Sequence, residues 1–250
     1  MFPESTAAPP VGKANANGFT TTLWTRVLLA RDPSSTQARD ALAELCRAYW
    51  YPLYAFLRRS GLNPEDACDR VQEFFARLLG ENWLAQVDRS KGRFRSFLLA
   101  ALKHFVANEW DKEHALKRGG REQLISFDQL TAEARYGLEP SHAETPDRLF
   151  ERRWALLLLD RALERLKEEY ARQGKALVFE ELKGTLEGGR DVPYAELGRR
   201  MGASPGAVKV TVHRLRRRYR EILHEEVAQT IGDAIQLDEE LRSLIQVLRN

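Results

Sequence analysis

The chain has 250 residues, of which 43% are hydrophobic and 30% are charged, and its formal net charge is +3. This length is sufficient for two domains that each bury a core, and no apolar run approaches the ~20 residues of a membrane span, so no membrane partner is expected. Two cysteines, Cys46 and Cys68, form no CxxC pair, and the five histidines are scattered. We therefore expect no metal site, disulfide framework or cofactor, and a reducing, cytoplasmic location.

Helical periodicity dominates the chain and no alternating pair of strands is evident, which predicts an all-α fold. Residues 1–19 contain Pro, Ala, Asn and Gly without an apolar signal core, so we expect a disordered leader. A short helix is predicted over residues 20–29 and a longer one over residues 37–59. The inward-facing residues expected in the longer helix are Leu42, Leu45, Tyr49 and Leu53.

The segment NPED, residues 63–66, predicts a strong helix start, because it combines an Asn cap, a proline in the first turn and two acids at the positive end of the helix dipole. This helix is expected to continue to about residue 79. After a polar loop over residues 80–92, a long helix is predicted over residues 93–118. Its aromatic and basic residues are interleaved, as in proteins that hold unpaired bases, but core packing is the safer interpretation of each ring.

The second half of the chain is predicted to form a separate helical domain. Residues 119–147 are rich in Gly, Pro, Ser, Thr and Asp, which indicates a flexible linker with a short helix near residues 129–135. We expect two helical domains, residues 20–118 and 148–231, on either side of it.

Helices within the second domain are predicted over residues 148–170, 176–186, 194–201 and 205–230. The C-terminal segment, residues 232–250, is expected to be an amphipathic helix. One side of this helix carries Leu241, Leu244, Ile245 and Leu248.

The segment SPGAVKVTVHRLRRRYR, residues 204–220, is strongly basic. One apolar stripe of helical spacing is formed by Val208, Val212, Leu215 and Tyr219, so the other faces are cationic. Upstream, Gly202 lies where the preceding helix must end, and Ser204 and Pro205 start the next one. A helix, a tight glycine-containing turn and a capped second helix are typical of a helix-turn-helix motif.

The second helix of such a motif fits the major groove of DNA. Lys209, His213, Arg214 and Arg217 are the residues expected to meet phosphates or base edges, flanked by Arg216, Arg218 and Arg220. The alternative is a solvated cationic face on a packed helix. The turn and the cap precede the basic residues in register, which favours DNA binding.

A second charged surface is predicted on the helix that begins at residue 64. Asp66, Asp69, Gln72 and Glu73 lie on the side away from its apolar residues. This pattern suits a basic, helical protein partner. An ordinary solvated face explains it equally well.

Together these residues resemble bacterial RNA polymerase sigma factors of the sigma-70 family, of the extracytoplasmic-function (ECF) type. EDACDRVQEFFARLL resembles region 2.2, FRSFLLAALKHFVANEWDKE resembles regions 2.3 and 2.4, and YAELGRRMGASPGAVKVTVHRLRRRYREIL resembles region 4.2. AVKVTVHRLRRRYREILHEEVAQTI is also similar to a branch common in planctomycete-type genomes. Val210 and Thr211 stand where the family often has Ser-Arg.

The resemblance implies two folded domains, sigma regions 2 and 4, that bind core RNA polymerase through its β′ coiled coil and β flap and direct the recognition and melting of promoter DNA. It assigns Asp66, Asp69, Gln72 and Glu73 to the coiled coil. It assigns Lys103, His104 and Asn108 to the minus-ten element. It assigns Ser204, Lys209, Thr211, His213, Arg214 and Arg217 to the minus-thirty-five element.

Further partners and other functions stay open at this point. An anti-sigma factor or another regulator is a candidate partner, and the segment beyond residue 232 is expected either to pack on the second domain or to bind such a regulator. A helix-turn-helix regulator that does not replace the sigma subunit is the main alternative function. An enzyme acting on nucleic acid is not favoured, because no HExxH, GxSxG or Gly-rich phosphate loop occurs, and no catalytic residue is expected.

Overall fold

The computed structural model describes residues 36–80, 93–115, 129–139, 144–186, 192–231 and 237–249. Within these ranges the regular structure is helical, as predicted. The α-helices are α1 (Thr36–Arg59), α2 (Pro64–Gly80), α3 (Phe94–Ala115), α4 (Gln129–Gly137), α5 (Pro146–Arg172), α6 (Ala176–Leu182), α7 (Tyr194–Met201), α8 (Pro205–Ala228) and α9 (Leu237–Arg249).

A short 3-10 helix, Lys183–Thr185, follows α6. The predicted leader, the helix over residues 20–29 and most of the loop over residues 80–92 lie outside the described residues. None of the described helices is long and apolar enough to cross a membrane.

The first hydrophobic core brings together α1 to α5, the end of α8 and α9. Tyr49, Tyr54 and Phe74 are among its largest fully buried side chains. Phe94 and Phe105 of α3 are each only 2% exposed. These two rings are therefore core residues, as the sequence favoured, and are not available to stack on bases.

Both cysteines lie in the first core as free thiols. Burial raises the pKa of Cys46 to about 12. The thiol of Cys46 therefore stays protonated at neutral pH and packs as a small apolar side chain.

The second hydrophobic core lies among the C-terminal half of α5 and helices α6, α7 and α8. The apolar stripe predicted for α8 is confirmed at Val208, Val212 and Leu215, each of which is at most 1% exposed. Tyr219 is partly buried against the same core. One side of α8 is thus fixed in the core, and the opposite side faces outward.

Helix α5 contributes to both cores. It begins at the cap Thr145, whose side chain accepts a hydrogen bond from the backbone N–H of Arg148, and it runs for 27 residues. Its first half places Trp154 in the first core, and its second half places Leu166 in the second. The domain boundary between residues 147 and 148 stays a prediction; it falls in the first turn of α5, a helix that belongs to both cores.

Helix α4 confirms the short helix expected inside the 119–147 segment, and it packs on the first core. Arg58 Nη2 lies 2.7 Å from Glu133 Oε1, and Tyr54 Oη donates a hydrogen bond to Glu133 Oε2 at 2.6 Å. The hydrogen bonds from Arg58 lower the pKa of Glu133. At neutral pH, Glu133 is therefore an ionised anchor that joins α4 to α1.

Helix α9 packs against α5, α8 and the first core. Leu244 is 3% exposed in this core, and the partly buried Leu241 and Leu248 flank it. The expectation that Ile245 shares this side was wrong, because Ile245 is 47% exposed. The C-terminal helix therefore does not pack on the second domain alone.

A buried carboxylate lies in the contact between α9 and the first core. Glu240 is fully buried, with Oε2 at 2.8 Å from Arg93 Nε and Oε1 paired with the buried Arg95. Arg95 also donates to Glu151 of α5 at 2.6 Å. Its guanidinium carbon lies 3.8 Å from the ring centroid of Trp154, so this group of ion pairs joins α3, α5 and α9.

We expect Glu240→Ala to lower the free energy of unfolding by about 3–5 kcal/mol, because it removes one of the two carboxylates that pair with the buried Arg95 and also the carboxylate that pairs with Arg93. Urea unfolding followed by circular dichroism measures the change. The matched control is Glu239→Ala, an exposed carboxylate in the same turn, which we expect to change stability by less than about 0.5 kcal/mol. Equal effects of the two substitutions would contradict this account.

Candidate polymerase and nucleic-acid interfaces

The helix-turn-helix predicted from the sequence is confirmed in its turn geometry. Gly202 ends α7 in the left-handed conformation, at φ 63° and ψ 31°, which glycine adopts without steric cost. The N–H of Ala203 donates to the carbonyl of Gly198 at 2.9 Å. Ser204 Oγ then accepts the N–H of Ala207 at 3.2 Å and caps α8. Ser204, a predicted site residue, therefore has a clear role in starting the helix.

Gly198 is a residue whose importance sequence reasoning missed. A Cβ atom placed on it would lie 2.5 Å from the backbone oxygen of Ala203, closer than real side chains come. The signal in the sequence was a glycine inside a helical pattern, which often marks close packing. The absence of a side chain here allows the turn to fold back on α7.

The outward side of α8 carries exposed basic residues. Lys209, His213 and Arg214 are exposed, and within the described ranges none of them pairs with a carboxylate. Thr211 is partly buried, and its Oγ1 donates to the carbonyl of Ala207 at 2.9 Å. Three of the predicted minus-thirty-five residues therefore present uncompensated polar or cationic groups to solvent.

Arg217 is also exposed but has a partner. Its Nε lies 2.9 Å from Glu221 Oε1, and the two side chains are 73% and 44% exposed. An ion pair so open to water contributes little to stability. Arg217 can therefore exchange this carboxylate for a phosphate at small cost.

Two of the flanking arginines hold α8 in place. Arg218 makes a two-pronged ion pair with Glu169 of α5, at 2.7 and 2.8 Å, which raises the pKa of Arg218 and lowers that of Glu169. Arg216 donates to the backbone carbonyl of Thr185 at 3.0 and 3.3 Å. These residues fix α8 to its neighbours, although the sequence alone placed them beside the DNA-facing residues.

The acidic surface predicted on α2 begins at its cap. Asn63 Oδ1 accepts the N–H of Asp66 at 2.8 Å, and Asn63 Nδ2 donates to Asp66 Oδ2 at 2.7 Å. Asp66 is exposed and Asp69 is partly buried. Gln72 Nε2 donates to Cys68 Sγ at 3.3 Å.

Glu73 completes this surface and pairs with two arginines of its own helix, both of which also contact α3. Its carboxylate lies 3.2 Å from Arg70 and 2.9 Å from Arg77, and its side chain remains 39% exposed. Arg77 Nη2 also lies 2.8 Å from Glu109 Oε1 on α3. Asp66, Asp69 and Glu73 are spaced by three and four residues, so they share one side of α2.

The three residues assigned to the minus-ten element lie on the exposed part of α3. Lys103, His104 and Asn108 are all exposed. Lys103 Nζ pairs with Asp147 in the first turn of α5 and lies 5.6 Å from the ring centroid of Phe56. His104 and Asn108 are one helical turn apart, so the structure brings the three residues together on one side of the helix.

Among the residues that the structure describes, no group of three His, Cys, Asp or Glu side chains is placed to hold a metal ion. The two surfaces consist of charged and amide groups on rigid helices, which are suited to binding.

We expect Gly198→Ala to lower the free energy of unfolding by about 1–3 kcal/mol, because its methyl group would overlap the carbonyl of Ala203. Thermal or urea unfolding measures the loss. The matched control is Gly206→Ala in α8, where nothing lies within 4 Å of the added Cβ. We expect this control to be neutral or slightly stabilising, and a loss as large as that of Gly198→Ala would contradict the close-approach argument.

Comparison with known families supports the resemblance. A sequence model of the ECF sigma factor family matches residues 56–226, a span that contains the acidic surface of α2, the exposed residues of α3 and the helix-turn-helix, and that ends before α9. No curated protein and no solved structure matches the chain. Because the family match covers well over half of the sequence and includes both charged surfaces, the chain belongs to the ECF sigma factor family.

Proposed function

We propose that this chain binds core RNA polymerase, recognises a two-part promoter and opens it at the minus-ten element, without catalysis of its own. Membership of the ECF sigma factor family supports a role in transcription initiation. The observation that carries the finer proposal is the outward side of α8, where Lys209, His213 and Arg214 have no carboxylate partner within the described residues. A helix held by its apolar side and cationic on the other is suited to the major groove.

The polymerase contact in this proposal is the acidic surface of α2. Asp66, Asp69, Gln72 and Glu73 would dock on the β′ coiled coil, with the β flap as the site of the second domain. The ion pairs with Arg70 and Arg77 hold Glu73 in one orientation. A pre-oriented carboxylate loses less conformational entropy on binding than a free one.

The minus-ten contact in this proposal lies on α3, at Lys103, His104 and Asn108. Unstacking a base costs a few kcal/mol, so promoter opening needs compensating contacts to the exposed strand. The buried Phe94 and Phe105 cannot supply them by stacking. The proposal therefore relies on the exposed polar groups of α3, together with the predicted loop over residues 80–92.

We expect Asp69→Ala combined with Glu73→Ala to weaken binding to core polymerase by at least tenfold while leaving duplex binding unchanged, because it removes two carboxylates from the docking surface. Fluorescence anisotropy with purified core enzyme measures the affinity for polymerase, and a gel-shift assay with duplex DNA measures the affinity for DNA. The matched control is Glu164→Ala with Glu168→Ala, two exposed carboxylates of α5. Circular dichroism checks that both variants fold.

Run-off transcription on a genomic library tests the function as a whole. The chain added to core enzyme should start transcripts at sites that share upstream elements. A chain that binds duplex DNA but not core enzyme would be a regulator and not a sigma factor.

We expect Lys209→Ala combined with Arg214→Ala to weaken duplex binding and to reduce its salt dependence. If about four side chains neutralise phosphates, log K falls against log salt with a slope of roughly −3.6, and losing two of them brings the slope to about −1.8. Binding titrations at several salt concentrations measure this. Arg172→Ala, an exposed arginine of α5, is the control, and an equal change of slope in that variant would contradict the assignment to α8.

A further inference from the structure

We propose that Val210 contacts the C5-methyl group of a thymine in the minus-thirty-five element, which makes Val210 a specificity-determining residue. This inference rests on the proposed function, since it requires α8 to enter the major groove. It concerns which base is preferred at one position. The affinity for DNA as such comes from the cationic residues around it.

The first observation is the direction of the side chain. Val210 is two residues from Val208 and two from Val212, both of which are 1% exposed, whereas Val210 is 50% exposed. Residues two apart on an α-helix point in nearly opposite directions, since each step turns by 100°. Val210 therefore points away from the core, at the middle of the outward side of α8.

The second observation is its surroundings. One turn before it, Gly206 is exposed and has no side chain. One turn after it lie the exposed His213 and Arg214, and Lys209 is its exposed neighbour. The apolar group therefore stands at the centre of a cationic surface, with open space on the side toward the start of the helix.

The third observation is that the fold does not need valine here. An exposed valine is a poorer helix former than alanine, because its branched side chain loses rotamer freedom. Single exposed apolar residues are common on protein surfaces, so exposure alone carries no argument. The argument depends on the position of Val210 on the helix. Basic residues that contact phosphates on both sides of the groove would bring Val210 against the base edges.

The chemical groups exposed in the major groove indicate which base Val210 would contact. The thymine methyl is the apolar group that base pairs present in the major groove, and apolar side chains contact it. Valine has one strongly preferred rotamer in a helix, so its methyl groups are already oriented. Removing one methyl group from water changes affinity by roughly fourfold, which is the size of effect to be measured.

The test compares thymine with deoxyuridine, which differs only by the absence of the methyl group. The full-length chain with core polymerase first selects duplexes from a random library, and each thymine of the enriched upstream element is then replaced in turn. We expect one replacement to weaken binding of the native protein by roughly threefold to fivefold. In Val210→Ala the same replacement should have almost no effect, and binding to the thymine duplex should already be weaker by a similar factor.

Two control variants make the assignment specific. Leu177→Ala removes another exposed apolar side chain, on α6, and should keep the sensitivity to the methyl group. Thr211→Ser removes the only methyl group of the adjacent side chain and should also keep it. Loss of the sensitivity in Thr211→Ser but not in Val210→Ala would assign the contact to Thr211 and overturn the proposal.

The remaining outcomes separate this inference from the function on which it rests. An enriched element without thymine, or an equal effect of deoxyuridine on the native protein and Val210→Ala, overturns the role of Val210 and leaves the proposed function intact. Failure to select any duplex overturns the proposed function, and this inference with it.

Discussion

The structure depends on the burial of one continuous helix in two cores. Trp154 of α5 is fixed in the first core and Leu166 in the second, and between them the helix has no break. The two ends of an uninterrupted helix have a fixed relative orientation, because backbone hydrogen bonds connect each turn to the next. The relative placement of the two cores therefore follows from α5, and α4 and α9 attach to the body that it organises.

The basic residues of α8 form two groups with different physical roles. Arg216 donates hydrogen bonds to a backbone carbonyl and Arg218 donates to Glu169, so these two residues hold α8 in position. Lys209 and Arg214 have no carboxylate partner in the described ranges and keep their charge for an external anion. Different side chains of one basic segment thus fix the placement of α8 and remain available to bind an anion. The sequence alone does not distinguish the two groups.

Local signals made much of this fold predictable. The caps at Asn63 and Ser204 and the glycine at 202 are signals that involve only a few neighbouring residues, so the predicted starts of α2 and α8 and the predicted end of α7 match the structure. The contact of Arg95 with Glu240 spans 145 residues, and no local periodicity reveals such a pair. The error at Ile245 has the same cause. The buried side of α9 is centred on Glu240 and Leu244, and the partner of Glu240 lies far away in the sequence, so the apolar residues of α9 alone do not define that side. For the candidate site, the apolar stripe placed the outward side of α8, but the internal partners of its arginines depend on packing.

The two surfaces of the first domain are joined by ion pairs. Arg77 contacts Glu73 on the proposed polymerase surface and Glu109 on α3, at 2.9 and 2.8 Å. Glu109 directly follows Asn108, which belongs to the proposed minus-ten surface. A basic partner that binds Glu73 competes with Arg77 for the carboxylate, and the displaced guanidinium retains Glu109 as its nearest anion. Because Glu109 is 8% exposed, its ion pair with Arg77 is screened less than a surface pair, so loss of the Glu73 contact alone would leave α2 tied to α3 through Arg77.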